Sequence, residues 1–209
     1  MRAKVRRAGC RLDNFEYWPA KWLGGSSDSD QRGKSRMASN GKQQGVPGAK
    51  ARVNIRVATP SDAEAIVGLV KALAAHVGDE SQATITPQAM AEAGSSAHPL
   101  WRGVVAEASD RMVGICLYSI LYSTWIGSPG LYVIDLYVEP DFRDAQLGRR
   151  LLAEAARQGR EFGCRFIRLD VDHRNGGVEG FYEQIGFVRR EGDSIFILKP
   201  DRFDMLAGS

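Results

Sequence analysis

The spacing of apolar side chains predicts alternating strands and helices from residue 53 onward. Residues 53–57 alternate between apolar and polar, as a half-buried strand does, whereas Ile66, Leu69, Val70 and Leu73 recur at helical spacing. The same patterns predict a short helix after Thr86-Pro87, strands at 102–107, 112–121 and 131–138, a helix from Leu147 through Ala156, a strand at 166–171, a short helix after Asn175, and a final hairpin of 187–190 and 195–199.

The order of these elements predicts the sheet topology. Three consecutive strands, two of them joined by a turn at Ser109-Asp110, favour antiparallel pairing, and the later strand-helix-strand order favours a parallel crossover. The sequence therefore predicts an α/β fold, with a mixed, mostly antiparallel central sheet and helices on both faces.

Composition divides the 209-residue chain into two parts. Residues 1–50 lack a core-forming pattern and are predicted to be a disordered leader, whereas residues 51–209 are predicted to form one domain. The net charge of +3 conceals a leader of +7 and a domain of −4. Because the basic charge lies in the leader, a nucleic-acid partner is not expected.

Other classes of protein are excluded by what the sequence lacks. No stretch approaches the roughly 20 apolar residues that span a membrane, so no membrane partner is expected. The three cysteines, Cys10, Cys116 and Cys164, are far apart, and none lies at zinc-ligand spacing from a histidine. We therefore expect a reducing, cytoplasmic location and no metal.

The segment 134–152 carries the most chemical information. A buried strand ends, a turn containing Pro140 follows, and a helix opens near Gly148. The N-terminus of a helix offers unpaired N–H groups and a positive dipole, so it favours a phosphate. A glycine there allows a phosphate to approach the backbone closely.

This segment resembles the acetyl-CoA-binding motif of the GNAT N-acetyltransferases. Arg143-x-x-Gln146-x-Gly148 is similar to their usual Gln/Arg-x-x-Gly-x-Gly/Ala. Asn175 and the later Phe181-Tyr182-x-x-x-Gly186-Phe187 resemble the family's second signature, and the two motifs stand in the right order. The resemblance covers residues 53–199 and implies a GNAT-like fold.

A finer resemblance points to the diamine (spermidine/spermine) acetyltransferase branch. It rests on His98-Pro99, on 105–107, and on Tyr122-x-x-Trp125-Ile126-Gly127 followed by Asp135. It implies direct transfer of an acetyl group from acetyl-CoA, used as co-substrate, to a primary amine of a small polyamine- or amino-acid-like acceptor. It is compatible with a homodimer.

The resemblance implies a role for individual residues. Asp135 is expected to accept the proton of the amine, and Tyr182 to donate one to the departing thiolate. The alternative for Asp135 is a buried acid with no catalytic role, and the alternative for Tyr182 is an aromatic side chain that only packs. Trp125 and Ile134 are expected to line the acceptor site. The expected cofactor-binding residues are Leu136, Tyr137, Val138, Arg143, Asp144, Ala145, Gln146, Leu147, Gly148, Arg149 and Asn175.

An alternative function remains open at this point. Gln146 stands where the motif has its first glycine, and Asp144 stands where the loop often has another. A side chain and an acid at these positions would oppose a pyrophosphate. They favour the alternative that the chain is a non-catalytic GNAT-fold module that senses acyl-CoA or an amine.

Overall fold

Five strands form one sheet, and their order in space is their order along the chain. The computed structural model describes residues 52–143, 145–172, 177–190, 192 and 195–208, and the predicted leader, 1–50, lies outside them. The strands are β1 (Asn54–Val57), β2 (Arg102–Ala108), β3 (Arg111–Ser123), β4 (Ser128–Val138) and β5 (Ile167–Leu169). The helices are α1 (Ala63–Val77), α2 (Pro87–Ser95), α3 (Ala145–Arg160), α4 (Val178–Gln184) and α5 (Pro200–Ala207), with 3-10 turns at Pro60–Asp62, Glu80–Gln82 and Pro140–Phe142.

The sheet is mixed, as the element order predicts. β1 to β4 pair antiparallel, and β5 joins β4 in parallel after the crossover through α3. The turn between β2 and β3 places Ser109 and Asp110 at φ 49° and 63°. Two successive residues with positive φ match the twist of a tight hairpin, and Asp tolerates this conformation better than most residues.

Helices cover both faces of the sheet, which confirms that part of the prediction. On one face, Ile66 and Leu69 of α1 pack with Ile115 and Leu117 of the sheet. On the other face, Leu151 of α3 packs with a separate set of sheet residues, and α4 adds partly buried aromatic side chains to that layer. Each face therefore has its own apolar core.

The start of α1 is fixed by a network of charged and capping groups. Thr59 and Asp62 form a reciprocal capping box around the 3-10 turn that precedes the helix. Arg56 donates two hydrogen bonds of 2.8 Å to Asp62 and also binds Glu107 of β2. At the other end, Gly78 adopts φ 80° and closes the helix.

The predicted C-terminal hairpin is wrong for the residues that the structure describes. Residues 187–190 and 195–199 contain no strand. Val188 and Phe196 are 88% and 94% exposed, so the apolar side chains on which the predicted strands depend are not buried. The following helix α5 was not predicted; it opens with Pro200 at its first position, yet Phe203 is exposed, so it lacks a core-facing stripe.

Within the described part of the chain, no helix combines the length and the apolar character that crossing a membrane requires.

Candidate active site

The candidate site begins where β4 and β5 separate. The two strands pair only from Leu131–Ile167 to Val133–Leu169, whereas β4 continues to Val138. Opposite Tyr118 and Leu117 of β3, β4 presents Val133 and Asp135, so Ile134 is an extra, bulged residue. Because a bulge bends and twists its strand, it opens a gap between β4 and β5 at this point.

The backbone of β4 faces this gap at alternate residues. The Glu139 N–H donates to Val113 of β3 at 2.9 Å, so the polar groups of the preceding residue point the other way. The Val138 carbonyl indeed accepts a 2.9 Å hydrogen bond from Arg143 Nε, a group that does not belong to the sheet. By the same alternation, the N–H and C=O of Leu136 point into the gap.

Arg143 folds over this end of β4. Besides its bond to Val138, its guanidinium lies 5.4 Å from the centre of the Tyr137 ring, and Nη1 lies 3.3 Å from His76 Nε2 of α1. A ligand that bonds to the Val138 carbonyl therefore either shares this oxygen with Arg143 or displaces its side chain.

A cavity of about 350 Å³ extends from the gap. Its walls are the C-terminal half of α1, the bulge of β4, the segment that follows β5, and α4. Four residues predicted for the site lie in this wall: Ile134, Asp135, Leu136 and Tyr182. The fold thus brings the two predicted proton-transfer groups, which are 47 positions apart in the sequence, into one cavity.

Tyr182 is held by aromatic side chains on either side. Its ring meets those of Phe181 and Phe187 edge to face, with centroids 5.2 and 5.5 Å away. Burial raises the pKa of its phenol to about 12. The hydroxyl therefore stays protonated at neutral pH, as a hydrogen-bond donor must.

Asp135 is a half-buried carboxyl on β4. Burial raises its pKa, because the charged form loses hydration. A carboxylate with a raised pKa is a stronger base than one in water, which suits it to accept a proton. The nearby Cys116 is fully buried, and burial raises the pKa of its thiol to about 12, so it is not a thiolate nucleophile.

Three further carboxyl groups line the cavity, and the sequence analysis missed them. They are Asp79, Asp170 and Asp172. Tyr132 donates a 2.8 Å hydrogen bond to Asp170 Oδ2 and so fixes its orientation. The available signal was the pair of alternating acids directly after a strand, because residues at the end of a strand commonly reach a ligand.

The other predicted residues lie in different places. Trp125 is 77% exposed at the tip of the β3–β4 hairpin and is absent from the cavity wall. Tyr137 and Leu147 are buried in the two cores. Gln146 and Arg149 are exposed near the start of α3, and Gly148 is buried in the same turns. Asp144, the side chain of Ala145, and Asn175 are outside the described residues.

Among the described residues, no three His, Cys, Asp or Glu side chains lie close enough together to hold a metal ion.

Comparison with known sequences gives one consistent result. Residues 71–187 match the acetyltransferase (GNAT) family. The thialysine N-epsilon-acetyltransferase of Sus scrofa is 29% identical over 169 residues, which span 76% of this chain and 99% of that protein. The thialysine N-epsilon-acetyltransferase of Caenorhabditis elegans is 26% identical over 130 residues, covering 62% of this chain and 79% of that protein.

Solved structures agree on the fold. An integron cassette protein from the mobile metagenome of V. cholerae superposes with a TM-score of 0.62 at 20% identity, covering 75% of this chain and 98% of that one. An aminoglycoside N-acetyltransferase in complex with CoA superposes with a TM-score of 0.59 at 24% identity, covering 74% of this chain and 99% of that one. These likenesses confirm the predicted fold.

Proposed function

Because the chain belongs to the acetyltransferase (GNAT) family, we propose that it transfers the acetyl group of acetyl-CoA to a primary amine of a small, positively charged molecule. The family and the class of enzyme predicted from the sequence are confirmed, and the alternative of a non-catalytic sensor is not favoured. The observation that carries the proposal is the single cavity shared by Asp135, Tyr182 and the open side of β4.

The open side of β4 supports a position for acetyl-CoA. The outward N–H and C=O groups of Leu136 and Val138 offer the pairing that the amides of a pantetheine arm require. The beginning of α3 offers the positive end of its helix dipole to the pyrophosphate. In this arrangement the pantetheine arm shares the Val138 carbonyl with Arg143 or displaces its side chain.

The proposed reaction is a direct attack. The ammonium group of the acceptor gives a proton to Asp135, directly or through water, and the neutral amine attacks the thioester carbonyl carbon. A C–N bond forms and the C–S bond breaks, while the sulfur leaves with the electron pair of that bond. After the attack the nitrogen carries a positive charge and two protons, and it passes one of them to this sulfur or to the solvent. Tyr182 donates a hydrogen bond to the sulfur, and Asp135 releases its proton to the solvent.

The acidity of Tyr182 limits what it does. A phenol of pKa about 12 is a weaker acid than a free thiol, whose pKa is about 8.5 in model compounds. Full proton transfer to the thiolate is therefore uphill in the free protein. We infer that Tyr182 acts chiefly by hydrogen bonding to the charge that develops on sulfur, and that the proton lost by the attacking amine helps to complete the transfer.

The charge of the cavity supports the choice of acceptor. Asp79, Asp135, Asp170 and Asp172 line it, and its described lining contains no lysine, arginine or histidine. Arg168, which lies outside this lining, pairs with Asp170 at 3.8 Å and offsets part of the negative charge. Such a wall attracts ammonium groups and repels carboxylates. It therefore favours an amine with a second positive charge over an amino acid, although relatives are named for thialysine, which is an amino acid.

Three acceptors of equal chain length test this proposal. Cadaverine has two amines, n-pentylamine lacks the second amine, and lysine is cadaverine with a carboxylate added. We expect cadaverine to have the highest kcat/KM of the three, with at least about a tenfold advantage over lysine, because roughly 1.4 kcal/mol of charge interaction suffices. Equal values for cadaverine and lysine, or no transfer to any of the three, would contradict the proposal.

The setting of the reaction is also part of the proposal. Cys116 and Cys164 are both free thiols, which supports a reducing cytoplasm. A homodimer remains a prediction of the sequence analysis.

A further inference from the structure

Gly148, which is expected to lie near a phosphate of the cofactor, also packs against the ring of Phe181. A Cβ atom added to Gly148 would lie 3.1 Å from Cζ of Phe181, whereas ordinary contacts of this kind begin at 3.4 Å. Gly148 itself is buried at the end of the first turn of α3. The ring of Phe181 therefore occupies the space that a side chain at position 148 would need.

The ring of Phe181 also contacts Tyr182, one of the two proposed proton-transfer residues. Phe181 packs edge to face on Tyr182 at 5.2 Å, and Tyr182 packs on Phe187 at 5.5 Å. Both Phe181 and Tyr182 contact the core on the α3 side of the sheet, and Tyr182 also lines the cavity. A displacement of Phe181 would thus be passed directly to Tyr182, the residue proposed to act on the thioester.

We propose that Phe181, seated against Gly148, is a positioning residue that sets the place of the Tyr182 hydroxyl. This rests on the proposed role of Tyr182. The motif that the chain resembles accepts glycine or alanine at this position, whereas in this protein an alanine there would require the Phe181 ring to move by a few tenths of an ångström. Glycine at position 148 then leaves room for the Phe181 ring of α4, in addition to any room that it leaves for a phosphate.

A double-mutant cycle tests the proposal with cadaverine as acceptor. The variants are Gly148→Ala, Phe181→Leu and the two combined. Gly180→Ala is the matched control, because it adds the same methyl group in α4 where a Cβ meets nothing within 4 Å. For each protein we would measure kcat, the dissociation constant of CoA by calorimetry, and the melting temperature.

We expect Gly148→Ala to lower kcat about three- to fivefold, because a misplacement of about 1 Å can cost roughly 100-fold and the ring must move by a few tenths of an ångström. CoA affinity should stay within about twofold, and Gly180→Ala should leave kcat unchanged. Phe181→Leu should also lower kcat. In the Phe181→Leu background, adding Gly148→Ala should change kcat by less than about twofold, because the clash has been removed.

Two results would overturn the proposal. One is an equal loss of kcat from Gly148→Ala in both backgrounds. The other is a loss of CoA affinity with kcat retained, which would assign the glycine to the phosphate alone. If Gly148→Ala does not fold, rescue of folding by Phe181→Leu supports the contact, and failure of that rescue refutes it.

Failure of the proposed function looks different. In that case the wild-type protein acetylates no amine. The coupling between Gly148→Ala and Phe181→Leu in melting temperature still measures the contact, and its absence refutes the positioning role independently of turnover.

Discussion

Substitution of Tyr182 by phenylalanine isolates one hydroxyl group. The ring contacts with Phe181 and Phe187 are made by carbon atoms at 5.2 and 5.5 Å between centroids, so phenylalanine keeps them and the fold should persist. What is lost is a hydrogen bond to the developing thiolate. A hydrogen bond to a charged group is worth about 1.5–3 kcal/mol, which corresponds to roughly 10- to 150-fold in rate. Proton donation in the transition state typically contributes about 10²- to 10⁴-fold. We therefore expect kcat to fall about 100-fold, where the two ranges meet.

Steady-state kinetics with cadaverine and saturating acetyl-CoA measure this loss. The dissociation constant of CoA should be unchanged, because the hydroxyl acts on charge that exists only in the transition state. A melting curve of Tyr182→Phe provides the control for folding. A folded variant whose kcat stays within a few-fold of wild type would remove Tyr182 from the reaction and leave it as packing between two phenylalanines.

Three further predictions concern other parts of the domain. Asp135→Asn should lower kcat. It should also stabilise the protein at neutral pH, because the raised pKa of Asp135 means that folding disfavours the carboxylate. In urea unfolding, the gain in unfolding free energy should grow as the pH rises from below 3.8 through the pKa of Asp135 in the folded protein. Asp62→Asn should cost about 1–2 kcal/mol of unfolding free energy at pH 7, because Arg56 lowers the pKa of Asp62 to about 2. Most of that cost should be lost as the pH falls from about 4 to 2, and a pH-independent difference would refute the ion-pair explanation. Gln146→Gly should preserve or tighten the binding of acetyl-CoA in calorimetry, since it removes a side chain from the first turn of α3; a large loss would show that Gln146 itself contacts the cofactor.

Sequence patterns predicted the fold where each pattern matched a buried face. The helical spacing of Ile66 and Leu69 and the alternating residues of β2 and β3 correspond to the two cores of the sheet. The same logic failed at Val188 and Phe196, where an apolar pattern faces solvent. Periodicity states which residues share a face and carries no information about whether a partner strand covers it.

The site was predictable in part for a similar reason. Asp135 and Tyr182 were identified through motifs, and the fold places both in one cavity. Asp79 and Asp170 were missed because they come from a loop and a strand end that only the tertiary fold brings to the same wall. The contact between Gly148 and Phe181 was equally invisible, since it joins two helices separated by β5.

The central claim is that acetyl-CoA and the amine occupy the cavity together and react directly. Initial rates measured over a grid of acetyl-CoA and cadaverine concentrations test it. Direct attack within a ternary complex predicts intersecting lines in double-reciprocal plots and no acetylated protein when the amine is omitted. Parallel lines, together with an acetyl group trapped on the protein, would indicate a covalent acyl-enzyme and contradict the account.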